Sequence, residues 1–340
     1  MAAGKSNLLK TGLFVLISGV LVYFVFRNTH FEDIKMGIVN ADLTWLLVSM
    51  CIAIFSHLFR ALRWNLALEP LGYTINNRRS FYAVMIGYLV NLATARGGEI
   101  ARCAIINQTD KVPINVLIGT VITERIIDLI CLILAIVAAF LLQTELIGGF
   151  LDVYLLQPLL SKGYMGALVI AMVVFGFAFM VWLVTANAGR NLLIKLPFGA
   201  AIVNTLNGFV QGLSSVAKIK RPVLFIAYSL GIWLCYWMMT YSLFFCFDFT
   251  SNFSPVVGLT ALVFASIGMI VPAPGGAGAL ALVIIGMENI YGLTNSNAQL
   301  VSTMSISANI ILIIIVGITS LLMLGFERKK NTKNELDSNP

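Results

Sequence analysis

The sequence is short of charged residues. Asp, Glu, Lys and Arg make up only 11% of its 340 residues, whereas hydrophobic residues make up 59%. An ordinary globular domain carries roughly 25% charged residues, and a soluble fold of this length would not cover its surface with so few. The composition therefore predicts an integral membrane protein of the all-α, polytopic class.

Several residue patterns that carry chemistry are also absent. The two histidines and five cysteines show no metal-ligand spacing and no readable disulfide framework. The chain has no nucleophile elbow, no zinc-protease motif and no phosphate-binding loop, so we predict no catalytic residues, no metal and no cofactor. The net charge of +7 comes mostly from Lys and Arg between apolar runs, so we expect no binding to nucleic acid.

Long apolar runs dominate the sequence instead. A membrane-spanning helix needs roughly 20 apolar residues, and six segments qualify: 8–26, 44–66, 114–142, 164–185, 222–246 and 298–324. Two further apolar segments, 80–107 and 255–290, are interrupted by Gly or Pro. Within lipid, backbone groups that lack helical hydrogen bonds must be buried in protein or line a cavity. We therefore predict a re-entrant hairpin at each interrupted segment. If the hairpins cross the membrane instead, the chain has eight spans.

The two interrupted segments align with each other without gaps. The Gly-Gly pair at 97–98 matches the pair at 275–276. Each half then consists of two spans, a hairpin and a third span, which predicts two membrane repeats at 1–163 and 164–325. Because three full spans per half is an odd number, the second repeat is inverted, an arrangement typical of transporters.

The distribution of Lys and Arg orients the chain. These cations concentrate near 60–79, in the linker 186–221 and in the tail, whereas 143–163, 247–254 and 286–297 hold one lysine between them. By the positive-inside rule we place both termini in the cytoplasm and the protein in the cytoplasmic membrane. The linker is predicted to include an amphipathic helix on the cytoplasmic surface, and the tail 326–340 is predicted to be disordered.

Ionisable residues within the apolar segments form the candidate site. Each costs about 2.5–3.5 kcal/mol at the centre of a membrane helix, so it persists when it is paired or faces water or a substrate. A first group surrounds the break in 80–107: Asn91, Arg96, Gly97, Gly98, Glu99 and Arg102. A helix that begins at the glycines would present free N–H groups beside two arginines, which suits phosphate. The alternative is an internal Arg–Glu pair that only fixes the hairpin.

A second group, Glu124, Arg125 and Asp128, lies in 114–142, with its two acids on one helix face. The acids need cationic partners, which Arg60 or Arg63, or the arginines of the first group, would supply. A structural ion network and a role in proton or substrate coupling are both open interpretations. His57, Arg60 and Arg63 themselves fit either cations that snorkel to the cytoplasmic interface or contacts to lipid head groups.

The second hairpin carries no charge. Its break contains Pro272, Pro274, Gly275, Gly276 and Gly278. These residues leave backbone carbonyls free and let helices approach closely. The hairpin therefore either offers backbone groups to a ligand or serves as a tight packing turn.

Taken in order, the segments 96–102, 124–128 and 274–278 resemble the flippase-like family, also known as the lysylphosphatidylglycerol synthase transmembrane region. The resemblance extends over about 8–325 and implies lipid handling. Its implied polar core is Arg96, Glu99, Arg102, Glu124, Arg125 and Asp128. Synthase activity is not expected, because in two-domain members it belongs to a separate soluble domain. The chain departs from many members at Thr94 or Ala95, where they have Pro, and at Ala279 and Leu280, where they have a polar residue.

Three functions follow as hypotheses. The first is a lipid translocase that moves an anionic phospholipid or an isoprenoid-linked lipid, with membrane lipid as its partner. The second is an accessory membrane subunit of a lipid-modifying system, with a lipid-modifying enzyme as its partner. The third is an integral-membrane transferase that uses Glu124 or Asp128 as a base on a lipid-linked donor.

Overall fold

The computed structural model describes residues 31–94, 97–161, 219–270 and 276–337, together with Met172, Phe175 and Trp182. These residues form helices and connecting turns, and none of them lies in a β-strand. In chain order the α-helices are Phe31–Val39 (α1), Leu43–Leu68 (α2), Asn77–Ala93 (α3), Gly98–Asp110 (α4), Ile114–Leu142 (α5), Thr144–Leu151 (α6), Gln157–Leu160 (α7), Pro222–Ser242 (α8), Pro255–Gly268 (α9), Ala277–Asn289 (α10) and Asn295–Asp337 (α11). Short 3-10 turns extend α2 and α8 to Leu71 and Cys246, and a π-helical turn at Asp152–Leu156 joins α6 to α7.

Four described helical segments are long and apolar enough to cross a membrane: Leu43–Leu71, Ile114–Leu142, Pro222–Cys246 and Asn295–Glu327. They coincide with the predicted spans 44–66, 114–142, 222–246 and 298–324, and the protein is an all-helical integral membrane protein. The other two predicted spans, 8–26 and 164–185, lie outside the described residues except for the three isolated positions. Nearly all of the linker 186–221 and the boundary between the two predicted repeats lie outside them as well.

The helices begin at residues that satisfy or remove their first N–H groups. Asp42 caps α2 by accepting a hydrogen bond from the Thr44 backbone N–H at 2.9 Å, and the hydrogen bonds from Thr44 lower the pKa of Asp42. Asn76 caps α3 in the same way. Helices α8 and α9 begin with proline, which lacks the N–H that would otherwise need a partner.

Each interrupted segment forms two short helices that pack against each other. Helices α3 and α4 pair around the break before Gly98, and α9 and α10 pair around the break before Ala277. Glycine permits both close approaches: a Cβ on Gly98 would overlap the Gly87 carbonyl oxygen, and a Cβ on Gly268 would overlap that of Gly278. At 1.5 Å per residue the four helices are about 20–26 Å long, shorter than the roughly 30 Å hydrocarbon core.

Contacts between helix ends define two faces of the bundle. At the first face, Arg79 of α3 pairs with Asp110 at the end of α4 and with Glu327 of α11, and Arg221 before α8 lies 3.9 Å from Glu69 after α2. At the second face, the Trp237 indole of α8 donates to the Pro255 carbonyl at the start of α9. The start of α2 is there too, because the Asp42 N–H donates to the Cys246 carbonyl.

The first hairpin, α3–α4, thus begins and ends at the first face, and the second hairpin, α9–α10, begins and ends at the second face. The Asn295 side chain at the start of α11 donates to Glu288 near the end of α10 at 3.2 Å. Helix α11 packs along α3 and α10 and so touches both hairpins. Helices α2 and α8 pack along each other beside them.

The last helix differs from the expectation for the tail. The sequence predicts disorder from 326, whereas α11 continues to Asp337. Extending an existing helix avoids the unfavourable nucleation step, and the segment has Glu, Arg and Lys, which favour helix, and no Gly or Pro from Phe326 to Asp337.

Candidate functional site

Charged side chains from three helices meet in one network inside the bundle. Helix α2 places two arginines three residues apart, and α5 places two acids four residues apart, so each pair lies on one helix face. The charged members are Arg60, Arg63, Glu99, Arg102, Glu124, Arg125 and Asp128. At 1.5 Å per residue, Arg63 and Arg60 lie about 8 and 12 Å from the end of α2 at Leu68, and the members on α5 lie about 15–21 Å from its start at Ile114. The network therefore lies well inside the membrane-length part of the bundle.

Asp128 is the point at which α2, α5 and α8 are joined. Arg60 Nη1 lies 3.1 Å from Asp128 Oδ2, and Arg63 Nη1 lies 2.8 Å from Asp128 Oδ1. Each arginine also donates to α8: Arg60 to the Tyr236 hydroxyl at 2.8 Å and Arg63 to the Ser229 hydroxyl at 3.3 Å. These bonds fix two long side chains at one depth in the membrane.

Glu124 joins the first hairpin to the same network. Its Oε2 lies 2.5 Å from Nη2 of Arg102 on α4, and its Oε1 lies 3.9 Å from Nε of Arg63. The Arg102 guanidinium also lies over the Trp64 ring, 4.6 Å from the centroid. The Trp64 indole in turn donates to the Thr120 hydroxyl at 2.9 Å. Glu124 is fully buried, so its charge depends on these arginines.

Glu99 and Arg125 form the exposed end of the network. Arg125 Nε lies 3.4 Å from Glu99 Oε1, and Arg125 Nη2 lies 3.4 Å from Asp128 Oδ2. The Arg125 and Glu99 side chains are 47% and 36% exposed, against 0% for Glu124. This pair links α4 to α5, so a competing ion would exchange most easily here.

A cavity of about 50 Å³ opens beside this pair at the break between α3 and α4. Its lining residues are Arg60, Val84, Gly87, Tyr88, Asn91, Gly98, Glu99, Arg102 and Arg125. A cavity needs about 10–15 Å³ for each water molecule that it holds, so this one has room for about four waters. The cavity is therefore large enough for a small anionic group and too small for a whole lipid.

The network carries more positive than negative charge. Four arginines face three carboxylates, which leaves a formal charge of +1 among the described members. The buried Nε atoms of Arg60 and Arg102 have no hydrogen-bond partner among the described residues, and both side chains line the cavity. Because buried guanidinium groups favour oxygen acceptors, the cavity favours an anion.

The structure brings together most of the predicted site residues. Asn91 accepts a hydrogen bond from the Gly98 N–H at 2.8 Å and so caps the start of α4. Gly97 immediately precedes that helix as its N-terminal cap residue. Arg96 lies outside the described residues. Within the second hairpin the same holds for Pro272, Pro274 and Gly275, whereas Gly276 adopts a positive φ of 76° and Gly278 packs against Gly268.

The interpretation of His57, Arg60 and Arg63 as snorkelling interfacial cations is wrong. Their exposed fractions are 3%, 4% and 0%. The acids of α5 hold both arginines inside the bundle, and the imidazole packs against the Tyr88 ring with centroids 4.5 Å apart. The sequence offers Arg60 and Arg63 as possible partners of the α5 acids, but the burial of the two arginines follows only from the packing of α2 against α5.

Sequence reasoning missed four polar members: Trp64, Tyr88, Ser229 and Tyr236. Ser229 and Tyr236 lie two turns apart in an apolar span, so their shared helix face was the available signal. The fold places Tyr88 at the cavity and the Trp64 ring against the Arg102 guanidinium, and the apolar patterns of α2 and α3 predict neither position. Within the described part of the chain, no group of three His, Cys, Asp or Glu side chains is arranged to hold a metal ion.

Comparisons with known proteins agree with a membrane role. The sequence model of the family described as "Lysylphosphatidylglycerol synthase TM region" matches residues 12–317. The UPF0104 membrane protein MJ1595 of Methanocaldococcus jannaschii is 22% identical over 194 residues, which cover 56% of this chain and 53% of that protein. The chain thus spans about half the length of this curated relative. No solved structure matches the chain.

Proposed function

Because the chain belongs to the lysylphosphatidylglycerol synthase transmembrane-region family, a lipid-related family of membrane proteins, we propose that it is a lipid translocase. Its substrate is an anionic phospholipid or an isoprenoid-linked lipid with a phosphate group. The observation that carries the proposal is the cationic cavity at the break of the first hairpin, well inside the membrane-length part of the bundle.

Phosphate suits this cavity better than a carboxylate or a sugar. Arg102 and Arg125 line it from two different helices, and a phosphate has enough oxygens to accept hydrogen bonds from both guanidinium groups. Arg60 adds a third cation at the wall. The small volume admits the head-group phosphate, and the acyl or isoprenoid chains stay in the surrounding lipid.

The two hairpins supply the moving parts. They begin at opposite faces and are too short to cross the hydrocarbon core, which supports re-entrant hairpins in inverted repeats. Glycine contacts hold each hairpin together as a unit. Rocking of the first hairpin against α2, α5 and α8 would separate Arg102 from Glu124 and open the cavity, first toward one face and then toward the other.

The first face is the cytoplasmic one in this proposal. It holds Arg78, Arg79, Lys111 and Arg221, whereas the described residues at the second face include one cation, Lys35 of α1, which follows Glu32 and Asp33 in the sequence. Cations in short loops remain on the cytoplasmic side during insertion. The protein therefore lies in the cytoplasmic membrane with its C-terminus inside.

Lipid movement in vesicles tests the proposal. The full chain is reconstituted with acyl-labelled phosphatidylglycerol or phosphatidylcholine, and dithionite quenches the label that reaches the outer leaflet. We expect faster movement of phosphatidylglycerol than of phosphatidylcholine. Arg125→Gln should slow phosphatidylglycerol movement at least about tenfold, since it removes a charge-assisted contact made to the phosphate.

Arg221→Gln is the matched control, because Arg221 is 65% exposed at the first face and pairs only loosely with Glu69. It should leave lipid movement unchanged. Equal rates for Arg125→Gln and the native chain would contradict the placement of the site. Failure of the native chain to move phosphatidylglycerol or a labelled isoprenoid phosphate would contradict the proposed function.

A further inference from the structure

His57 is a histidine buried in the membrane-length part of α2. Its exposed fraction is 3%. Ala53 and Ala61, one turn away on either side, belong to apolar clusters that include Met85 and Val84 of α3. The imidazole thus faces α3, where it lies against the Tyr88 ring.

The imidazole has no hydrogen-bond partner among the described residues. Neither Nδ1 nor Nε2 is bonded to any described residue, although both a donor and an acceptor are buried there. Burying a donor and an acceptor without hydrogen bonds is unfavourable, and an apolar ring would fill the same volume without that free-energy cost. Packing alone therefore does not account for a histidine at this position.

His57 lies directly behind the wall of the cavity. Tyr88, which touches its ring, lines the cavity, and so does Arg60, one turn further along α2. The other ionisable groups near it act through Arg60: Asp128 of α5 and Tyr236 of α8 bind that guanidinium, and Glu124 lies next along the network. Helix α11 brings no charged residue between Asn295 and Phe326.

Protonation of His57 and anion binding in the cavity favour each other. The described network already has a formal charge of +1, so a proton on His57 would raise it to +2 at a site of low dielectric. An anion in the cavity offsets that charge. By linkage, the proton then raises the affinity for the anion by the same factor by which the anion raises the affinity for the proton.

We propose that His57 binds a proton that is carried together with the anionic head group, so that lipid movement is a proton symport. This inference rests on the proposed function. The proton binds a ring nitrogen from the side on which the lipid enters, and both leave on the opposite side. No covalent bond to the lipid forms.

The test uses the full chain in phosphatidylcholine vesicles that contain acyl-labelled phosphatidylglycerol, with a pH-sensitive dye in the lumen. Lipid movement into the inner leaflet is compared at equal pH and with an acidic exterior. The acidic exterior should accelerate inward movement about fivefold or more, within the usual range of coupling between two sites. The lumen should acidify as the lipid moves.

Substitutions assign the effect to His57. His57→Gln and His57→Asn should both lose the acceleration by the pH gradient. His30→Gln, at the only other histidine of the chain, should respond like the native protein. A full gradient response in either His57 variant would overturn the proposal.

A measurement on the native protein alone covers the case in which the His57 variants do not fold. Addition of short-chain phosphatidylglycerol to the protein in weakly buffered detergent at acidic pH, where a buried imidazole beside Arg60 can take up a proton, should cause proton uptake, and its absence would overturn the inference. Lipid movement that ignores the gradient would overturn the symport and leave the translocase in place. No lipid movement by the native chain would overturn both.

Discussion

Replacement of Arg102 with methionine should destabilise the protein more than any exposed charge substitution. Arg102 and Glu124 are buried, with side-chain exposures of 5% and 0%, and their closest atoms are 2.5 Å apart. Removal of one partner from a buried pair costs about 3–5 kcal/mol, because the other charge remains in a low-dielectric site. Arg63 Nε, 3.9 Å from Glu124, compensates only in part, so we expect about 3 kcal/mol.

The double variant Arg102→Met/Glu124→Met separates structure from function. Because no unpaired carboxylate remains, it should recover stability to within about 1.5 kcal/mol of the native chain. Denaturant unfolding in mixed micelles, followed by the fluorescence of Trp64 and the other tryptophans, measures both values. Despite its recovered stability, the double variant should move phosphatidylglycerol more slowly than the native chain, because it lacks the Arg102 contact to phosphate. A double variant no more stable than Arg102→Met, or a single variant within about 1 kcal/mol of the native chain, would refute the reasoning.

Two further substitutions, one of them with a matched control, test the packing around the network. Gly98→Ala should prevent the first hairpin from closing, because its Cβ would overlap the Gly87 carbonyl oxygen; size-exclusion profiles should show loss of folded protein. Gly119→Ala, where a Cβ meets nothing within 4 Å, should give a profile like that of the native chain, and equal profiles for both variants would contradict the close contact. Tyr236→Phe removes the hydroxyl that accepts from Arg60 and should cost about 1–3 kcal/mol in the same unfolding assay. An unchanged unfolding midpoint would show that this hydrogen bond is not formed.

The sequence was sufficient for the four described spans and for the two interruptions between short helices, because apolar length and Gly or Pro act locally. The predicted span 114–142 coincides with Ile114–Leu142. The break that follows residues 80–93 could be predicted because Gly97 and Gly98 interrupt an otherwise helical pattern. The placement of Glu124 and Asp128 on one helix face could also be predicted, since four residues make about one helical turn.

The sequence offered Arg60, Arg63 and the arginines of the first group as partners of these acids, but it did not assign an arginine to each acid. Asp128 pairs with Arg60 and Arg63, which precede it by more than sixty residues, because α2 and α5 pack side by side. The burial of His57 depends on the approach of α3, which no pattern within α2 records. Similarly, cooperative extension of α11 outweighs the polar composition of the tail.

The most direct test of the central claim asks whether one cavity is reached from both faces of the membrane. Glu99→Cys, in a protein whose five native cysteines are replaced by serine or alanine, places a thiol at the cavity and is treated in vesicles with a membrane-impermeant maleimide from each side in turn. The account predicts that the thiol reacts from either side and that phosphatidylglycerol in the bilayer slows both reactions. Reaction from one side only, at a rate that ignores the lipid, would contradict it.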